Sequence, residues 1–104
     1  MESSDRDGPA PIRDGVLVRE LAIVNRKGLH ARASAKFVQT VERYDADVTV
    51  TRGAETVGGR SIMGLLTLGA AQGTSITVVA QGEDAEACLT ALSDLLANRF
   101  GEDE

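Results

Sequence analysis

Apolar and polar positions recur regularly from Val16 onward, and the pattern predicts a series of short elements. The stretch from Val16 to Val24 is β-branched and apolar, and Leu21 and Ile23 alternate towards one face. Such alternation is typical of a half-buried strand. The polar residues 25–28 that follow it end in glycine, which indicates a loop.

Helical spacing replaces the alternation after this loop. Between Ala31 and about Arg43, residues that suit a packed face recur every three or four positions, namely Ser34, Phe37, Val38 and Val41. This spacing predicts an amphipathic helix against the core. Alternation returns over Asp47 to Thr51 as a second strand, and a turn at Gly53 leads into a short third strand over 55–57.

The second half of the chain predicts two more helices with a strand between them, and the chain contains no internal repeat. Ser61 is suited to cap a short, almost wholly apolar helix over 62–68. A fourth strand is predicted from Ser75 to Ala80. A last helix is predicted from about Asp84 to Arg99 before Gly101 ends it, and its apolar stripe consists of Cys88, Leu92, Leu95 and Leu96.

The predicted order is therefore β-α-β-β-α-β-α. Short connections and the hairpin between the second and third strands favour an antiparallel sheet with helices on one face, an open-faced α/β sandwich of the α+β class. The first fifteen residues, Met1 to Gly15, are rich in Ser, Asp, Gly and Pro and predict a flexible extension. We expect one domain over 16–100, followed by an acidic tail over 101–104.

Composition narrows the classes of protein that fit. The chain has 104 residues, enough for one domain, and a net charge of −5, which argues against general nucleic-acid binding. Its single cysteine, Cys88, cannot form an internal disulfide and is expected to be a buried thiol in a reducing compartment. No apolar run is long enough to cross a bilayer, and no signal peptide is recognisable. We therefore expect a cytoplasmic protein without membrane insertion.

His30, the only histidine, is the main candidate for chemistry. It stands where the first helix begins, and the unpaired N–H groups and dipole of a helix start favour an anion. Neutral imidazole has a nitrogen lone pair able to attack phosphorus, and the guanidinium of Arg32 matches phosphate oxygens. The alternative is that His30 is an ordinary surface or helix-capping residue.

Ser61 and the apolar helix behind it form a second candidate region. Ser61 is either a plain N-cap or a regulatory phosphorylation site, since phosphate is well tolerated at a helix N-terminus. The helix is more apolar than its length requires, so part of it is expected to dock partner proteins through Ile62, Met63, Leu65 and Leu66. Simple core packing is the alternative for Met63 and Leu66.

Three motifs at matching separation give a resemblance to a known family. They are residues 28–32 (Gly-Leu-His-Ala-Arg), 44–48 (Tyr-Asp-Ala-Asp-Val) and 61–65 (Ser-Ile-Met-Gly-Leu), the last followed by Leu68-Gly69. Together they resemble the histidine-containing phosphocarrier (HPr) family of the phosphoenolpyruvate-dependent phosphotransferase system, over roughly Val16 to Phe100. The resemblance implies a four-stranded antiparallel sheet in the order 1-4-2-3 with three helices on one face.

The resemblance also implies roles for individual residues. His30 matches the histidine that accepts a phosphoryl group from enzyme I and passes it to IIA-type components, and Arg32 matches the arginine beside it. Ser61 matches a regulatory site that HPr kinase/phosphorylase modifies in some bacteria. Many family members have proline where this chain has Ala33. Proline is well suited to a first helical turn, whereas alanine is the better general helix former.

A phosphoryl carrier of this kind is a monomer that acts in a relay and is not a stand-alone enzyme. The residues suggest no metal cluster, P-loop or Ser-His-Asp set, so no cofactor is expected. Two alternatives remain. One is a carrier of the nitrogen-related branch, with purely regulatory output. The other is a small-molecule-binding regulatory domain of ferredoxin-like type, in which His30 merely caps a helix.

Overall fold

The computed structural model describes residues 16–104, so the predicted extension over 1–15 lies outside the described residues. The element order is confirmed, and the ends of the predicted elements differ from the observed ones by at most one or two residues. The elements are β1 (Val16–Ala22), α1 (Ala31–Val41), β2 (Asp47–Arg52), β3 (Glu55–Gly58), α2 (Ile62–Thr67), β4 (Ser75–Gln81) and α3 (Ala85–Ala97), with a 3₁₀ turn at Arg99–Gly101.

The four strands form one antiparallel sheet in the order β1-β4-β2-β3. This is the order that the family resemblance implies. The tight hairpin between β2 and β3 turns at Gly53, whose φ of +61° is a conformation that glycine adopts without strain. The register places Leu21 opposite Ile76 and Val48 opposite Ala80, so that apolar side chains meet across neighbouring strands.

The three helices cover one face of this sheet and enclose the core. Alternate strand residues such as Val50 and Val78 are fully buried, as are Phe37 of α1 and Leu92 of α3. Cys88 is buried as predicted, and burial raises the pKa of its thiol. The predicted stripe on α3 is correct except at its edge, where Leu95 is only partly buried.

The chain leaves α3 through an unusual turn. Arg99 and Phe100 have φ values of +57° and +55°, and Gly101 follows at +80°. Left-handed conformations are costly for residues other than glycine, at roughly 1–2 kcal/mol each. The Phe100 side chain is nevertheless 1% exposed, and Lys36 Nζ donates a hydrogen bond of 2.6 Å to its carbonyl oxygen. Core packing and this bond therefore hold the turn.

This turn directs residues 102–104, here called the acidic segment, back towards the start of α1. Glu102 contacts His30 and Asn25, and the Glu104 carboxylate pairs with Arg26 at 2.8 Å. The composition of residues 101–104 predicts an acidic tail beyond the domain. In the structure these residues lie beside the candidate site.

Candidate functional site

The loop between β1 and α1 sets the position of His30. Gly28 adopts a φ of +71°, and a Cβ atom built there would lie 2.6 Å from the carbonyl oxygen of Ala70. The next residue, Leu29, is buried and its N–H donates to that same oxygen at 2.9 Å. The loop is thus held tightly against residues 70–71, and His30 follows as the N-cap of α1.

The two ring nitrogens of His30 have different neighbours. The backbone N–H of Arg32 donates to Nδ1 at 3.2 Å, and Nε2 pairs with Oε2 of Glu102. An ionised carboxylate only accepts hydrogen bonds, so this geometry assigns the ring proton to Nε2 and leaves Nδ1 unprotonated, with its lone pair accepting the Arg32 N–H. The side chain is 28% exposed, which leaves the ring accessible from solvent.

Asn25 connects the loop to the Glu102 carboxylate. Its side chain is fully buried, and Nδ2 donates both to the Gly28 carbonyl at 2.8 Å and to Oε1 of Glu102 at 3.0 Å. Burial raises the pKa of Glu102, but the hydrogen bonds from Asn25 and His30, together with the charge interactions with His30 and Lys27, lower the pKa overall. Glu102 is therefore ionised at neutral pH.

Two cationic side chains complete the surroundings of His30. Lys27 and Arg32, together with His30 and Glu102, line a shallow depression of about 370 Å³. Both cations and the N-terminus of α1 favour a bound anion near His30, and Lys27 also interacts electrostatically with Glu102. Ala33 is the third residue of α1 and is buried, in the first turn, where backbone N–H groups have no intrahelical partner.

Ser61 caps α2 as its sequence position predicts. Its hydroxyl oxygen accepts a hydrogen bond of 2.9 Å from the Gly64 N–H, and the side chain faces solvent. This capping hydrogen bond is by itself sufficient reason for a serine at this position.

The apolar residues of α2 divide between surface and core. Met63 is 71% exposed and Ile62 is 40% exposed, whereas Leu66 is partly buried. Core packing therefore does not explain Met63. Leu65 is fully buried, so its assignment to a docking surface is wrong: it is a core residue. Its neighbours on the outer side of α2 are the ones available to a partner.

Three residues at this site were not predicted from the sequence, namely Asn25, Lys27 and Glu102. Asn25 gave one signal, since an asparagine three residues before a glycine often orders a turn by bonding to nearby backbone. Lys27 belongs to the predicted loop over 25–28, and nothing in the sequence distinguishes it from an ordinary surface lysine. Glu102 gave no signal, because only the turn after α3 brings it to His30, 72 positions away along the chain.

Residues 16–104 contain neither a membrane-spanning helix nor a group of metal ligands. None of the helices described is long and apolar enough to cross a membrane. Within the same residues, no three His, Cys, Asp or Glu side chains are grouped so that they could hold a metal ion.

Comparison with known proteins gives concordant results. The family model for the phosphorylation site of the phosphotransferase-system HPr component matches residues 17–98. A phosphocarrier protein HPr of Xylella fastidiosa is 46% identical over 88 residues, covering 85% of this chain and 99% of the relative. A phosphocarrier protein NPr of Shewanella violacea is 37% identical over 86 residues, covering 83% and 94% of the two chains.

A solved structure agrees with these sequence relatives. The crystal structure of HPr from Thermoanaerobacter tengcongensis superimposes with a TM-score of 0.79 at 38% identity, covering 84% of this chain and 98% of that one. Fold and site thus define a phosphocarrier domain, an open-faced α/β sandwich with an imidazole at the start of its first helix. The chain belongs to the HPr family of the phosphotransferase system.

Proposed function

We propose that this protein carries a phosphoryl group on Nδ1 of His30 in the cytoplasm. Enzyme I charged by phosphoenolpyruvate is the donor, and IIA-type components of sugar uptake or its regulation are the acceptors. The observation that carries this proposal is the placement of the ring. The Nδ1 lone pair is directed at the N-terminus of α1, while Nε2 is paired with a carboxylate.

The surroundings suit transient storage of phosphate. Phosphoryl transfer depends mostly on positioning and on charge stabilisation. Backbone N–H groups at the helix start, with Arg32 and Lys27 at the rim of the depression, would stabilise the phosphoryl oxygens. Such a partly open cradle favours release to the next partner over tight retention.

Reaction with enzyme I and phosphoenolpyruvate tests the proposal. Intact-mass spectrometry should show the gain of one acid-labile phosphoryl group. NMR spectroscopy of the product should show that the phosphorus is bonded to Nδ1. No mass gain would instead favour the small-molecule-binding domain of ferredoxin-like type.

The same charged protein distinguishes the two branches of the relay. Transfer to sugar-specific IIA components should be compared with transfer to the nitrogen-related acceptor at equal concentrations. Faster transfer to the sugar-specific acceptors supports the function proposed above. Faster transfer to the nitrogen-related acceptor would assign the purely regulatory branch, because both branches use the same histidine site.

Replacement of Arg32 by lysine should slow phosphoryl transfer about tenfold or more, because lysine keeps the charge but lacks the planar donor fork. The measurement is the rate of transfer from enzyme I under single-turnover conditions. Arg43→Lys, in the exposed region just beyond α1, is the matched control and should transfer at the wild-type rate. Equal rates for both variants would show that the helix N-terminus suffices.

We propose Ser61 as a regulatory phosphorylation site for HPr kinase/phosphorylase, with Ile62, Met63 and Leu66 as the adjoining docking surface. Ser61→Asp should weaken association with enzyme I, because it introduces negative charge beside exposed apolar side chains. Titration calorimetry measures the affinity. Ser61→Asn is the matched control, since asparagine caps a helix as well as aspartate does without the charge. Equal affinities for the two variants would leave Ser61 as a plain N-cap.

A further inference from the structure

We propose that Glu102 is a positioning residue for phosphoryl acceptance. Its carboxylate holds the proton of His30 on Nε2, so that Nδ1 is unprotonated and its lone pair can attack phosphorus. This inference rests on the proposed function, because it assigns the residue that selects the attacking nitrogen. Glu102 itself does not touch the phosphoryl group. It acts through the opposite side of the imidazole ring.

The first support is that both carboxylate oxygens are engaged by different donors. Oε1 accepts from Asn25 Nδ2 at 3.0 Å, and Oε2 pairs with Nε2 of His30. Asn25 is fully buried and is also bonded to the Gly28 carbonyl, so its amide is fixed by the loop that positions His30. The carboxylate therefore has a defined orientation relative to the ring.

The second support is the way in which the fold delivers Glu102 to the ring. The two residues Arg99 and Phe100 take the left-handed conformation, and burial of the Phe100 side chain anchors the turn immediately before Glu102. On the other side, the Glu104 carboxylate pairs with Arg26 at 2.8 Å. The acidic segment is thus held on both sides of Glu102, and a backbone conformation of high energy is maintained to place it there.

The third support is the charge balance of the transfer step. The Nδ1 lone pair exchanges its hydrogen bond with the Arg32 N–H for a bond to phosphorus, while the bond between phosphorus and its donor atom on enzyme I breaks and that atom keeps the electron pair. The ring of His30 retains its proton on Nε2 and becomes positively charged. The Glu102 carboxylate offsets this charge as it develops, as a carboxylate does for a catalytic imidazole. The phosphoryl oxygens, on the far side, lie towards α1 and Arg32.

The ring tautomer tests the inference without any partner protein. Since His30 is the only histidine, the imidazole ¹⁵N spectrum reports on one ring. We expect the neutral ring of the wild type to carry its proton on Nε2, and Glu102→Gln to raise the share of the Nδ1-protonated form. Glutamine preserves the size of the side chain but removes its charge. Asp103→Asn, which removes the same charge at the exposed neighbouring position, should leave the spectrum unchanged.

The same variants are then charged by enzyme I. We expect about a tenfold slower phosphoryl transfer for Glu102→Gln, with an unchanged melting temperature, and the wild-type rate for Asp103→Asn. An unchanged tautomer, an unchanged rate or a faster rate in Glu102→Gln would each overturn the inference, the last by showing that the carboxylate obstructs the site. If the wild type itself accepts no phosphate, the proposed function fails, whereas the spectra still report the contact between Glu102 and His30.

Discussion

Substitution of His30 by asparagine should abolish phosphoryl acceptance while the fold remains intact. The chain has no second histidine that could accept the group, so we expect no residual transfer from enzyme I. Asparagine is among the best N-cap residues and can replace the hydrogen bond that Nδ1 accepts from the Arg32 N–H. The stability of the variant should therefore lie within about 1 kcal/mol of the wild type.

Two measurements are needed to interpret this variant. Intact-mass spectrometry after reaction with phosphoenolpyruvate and enzyme I measures acceptance, and urea denaturation measures the free energy of unfolding. His30→Ala, which lacks the cap, should be equally inactive but less stable than His30→Asn by about 1 kcal/mol. Acid-labile phosphate on either variant would place the acceptor at another residue and refute the proposed function.

The order of elements was predictable because the spacing of apolar residues within each element identifies it as a helix or a strand. The alternation over Asp47 to Thr51 and the helical spacing of Phe37 and Val41 both arise from neighbours along the chain. Strand order is different. Short connections favour antiparallel pairing but do not reveal that β4 lies between β1 and β2, and the resemblance to the HPr family supplied that order.

The candidate site was predictable only in its local part. His30 and Arg32 lie two residues apart at a helix start, and the sequence is sufficient to place them together. The contact between Asn25 and Glu102 spans 77 positions and depends on the left-handed turn at Arg99 and Phe100. Residues other than glycine rarely adopt such conformations, so the local sequence does not predict this turn. It forms because tertiary packing, including burial of Phe100, stabilises it.

The buried and exposed sides of α2 were also not predictable from the sequence. In a six-residue helix that is almost wholly apolar, the pattern does not distinguish the buried side from the exposed side. Leu65 proves to be a core residue, while Met63, two positions earlier, is 71% exposed. The packing of α2 against α1 and β3 decides between them.

The loop between β1 and α1 links stability to the site, and Gly28 is its most constrained residue. Two independent constraints act there. The φ of +71° disfavours any residue with a Cβ atom, and the carbonyl oxygen of Ala70 would lie 2.6 Å from that atom. Neighbouring backbone cannot move away as easily as the end of a flexible side chain. The same carbonyl accepts the Leu29 N–H, so any shift that relieves the contact also disturbs the residue before His30.

We expect Gly28→Ala to lower the free energy of unfolding by about 2–4 kcal/mol, since the left-handed conformation alone costs roughly 1–2 kcal/mol and the contact with Ala70 adds to it. Urea denaturation measures the loss.

The matched control is Gly53→Ala in the β2–β3 hairpin, where φ is +61° and no heavy atom lies within 4 Å of the added Cβ. The control should lose only the cost of the left-handed conformation, roughly 1–2 kcal/mol. Equal losses would mean that the Ala70 carbonyl moves freely, and the loop would then not fix the position of His30. If the contact is as rigid as its geometry indicates, the folded fraction of Gly28→Ala should also transfer phosphate more slowly than that of Gly53→Ala.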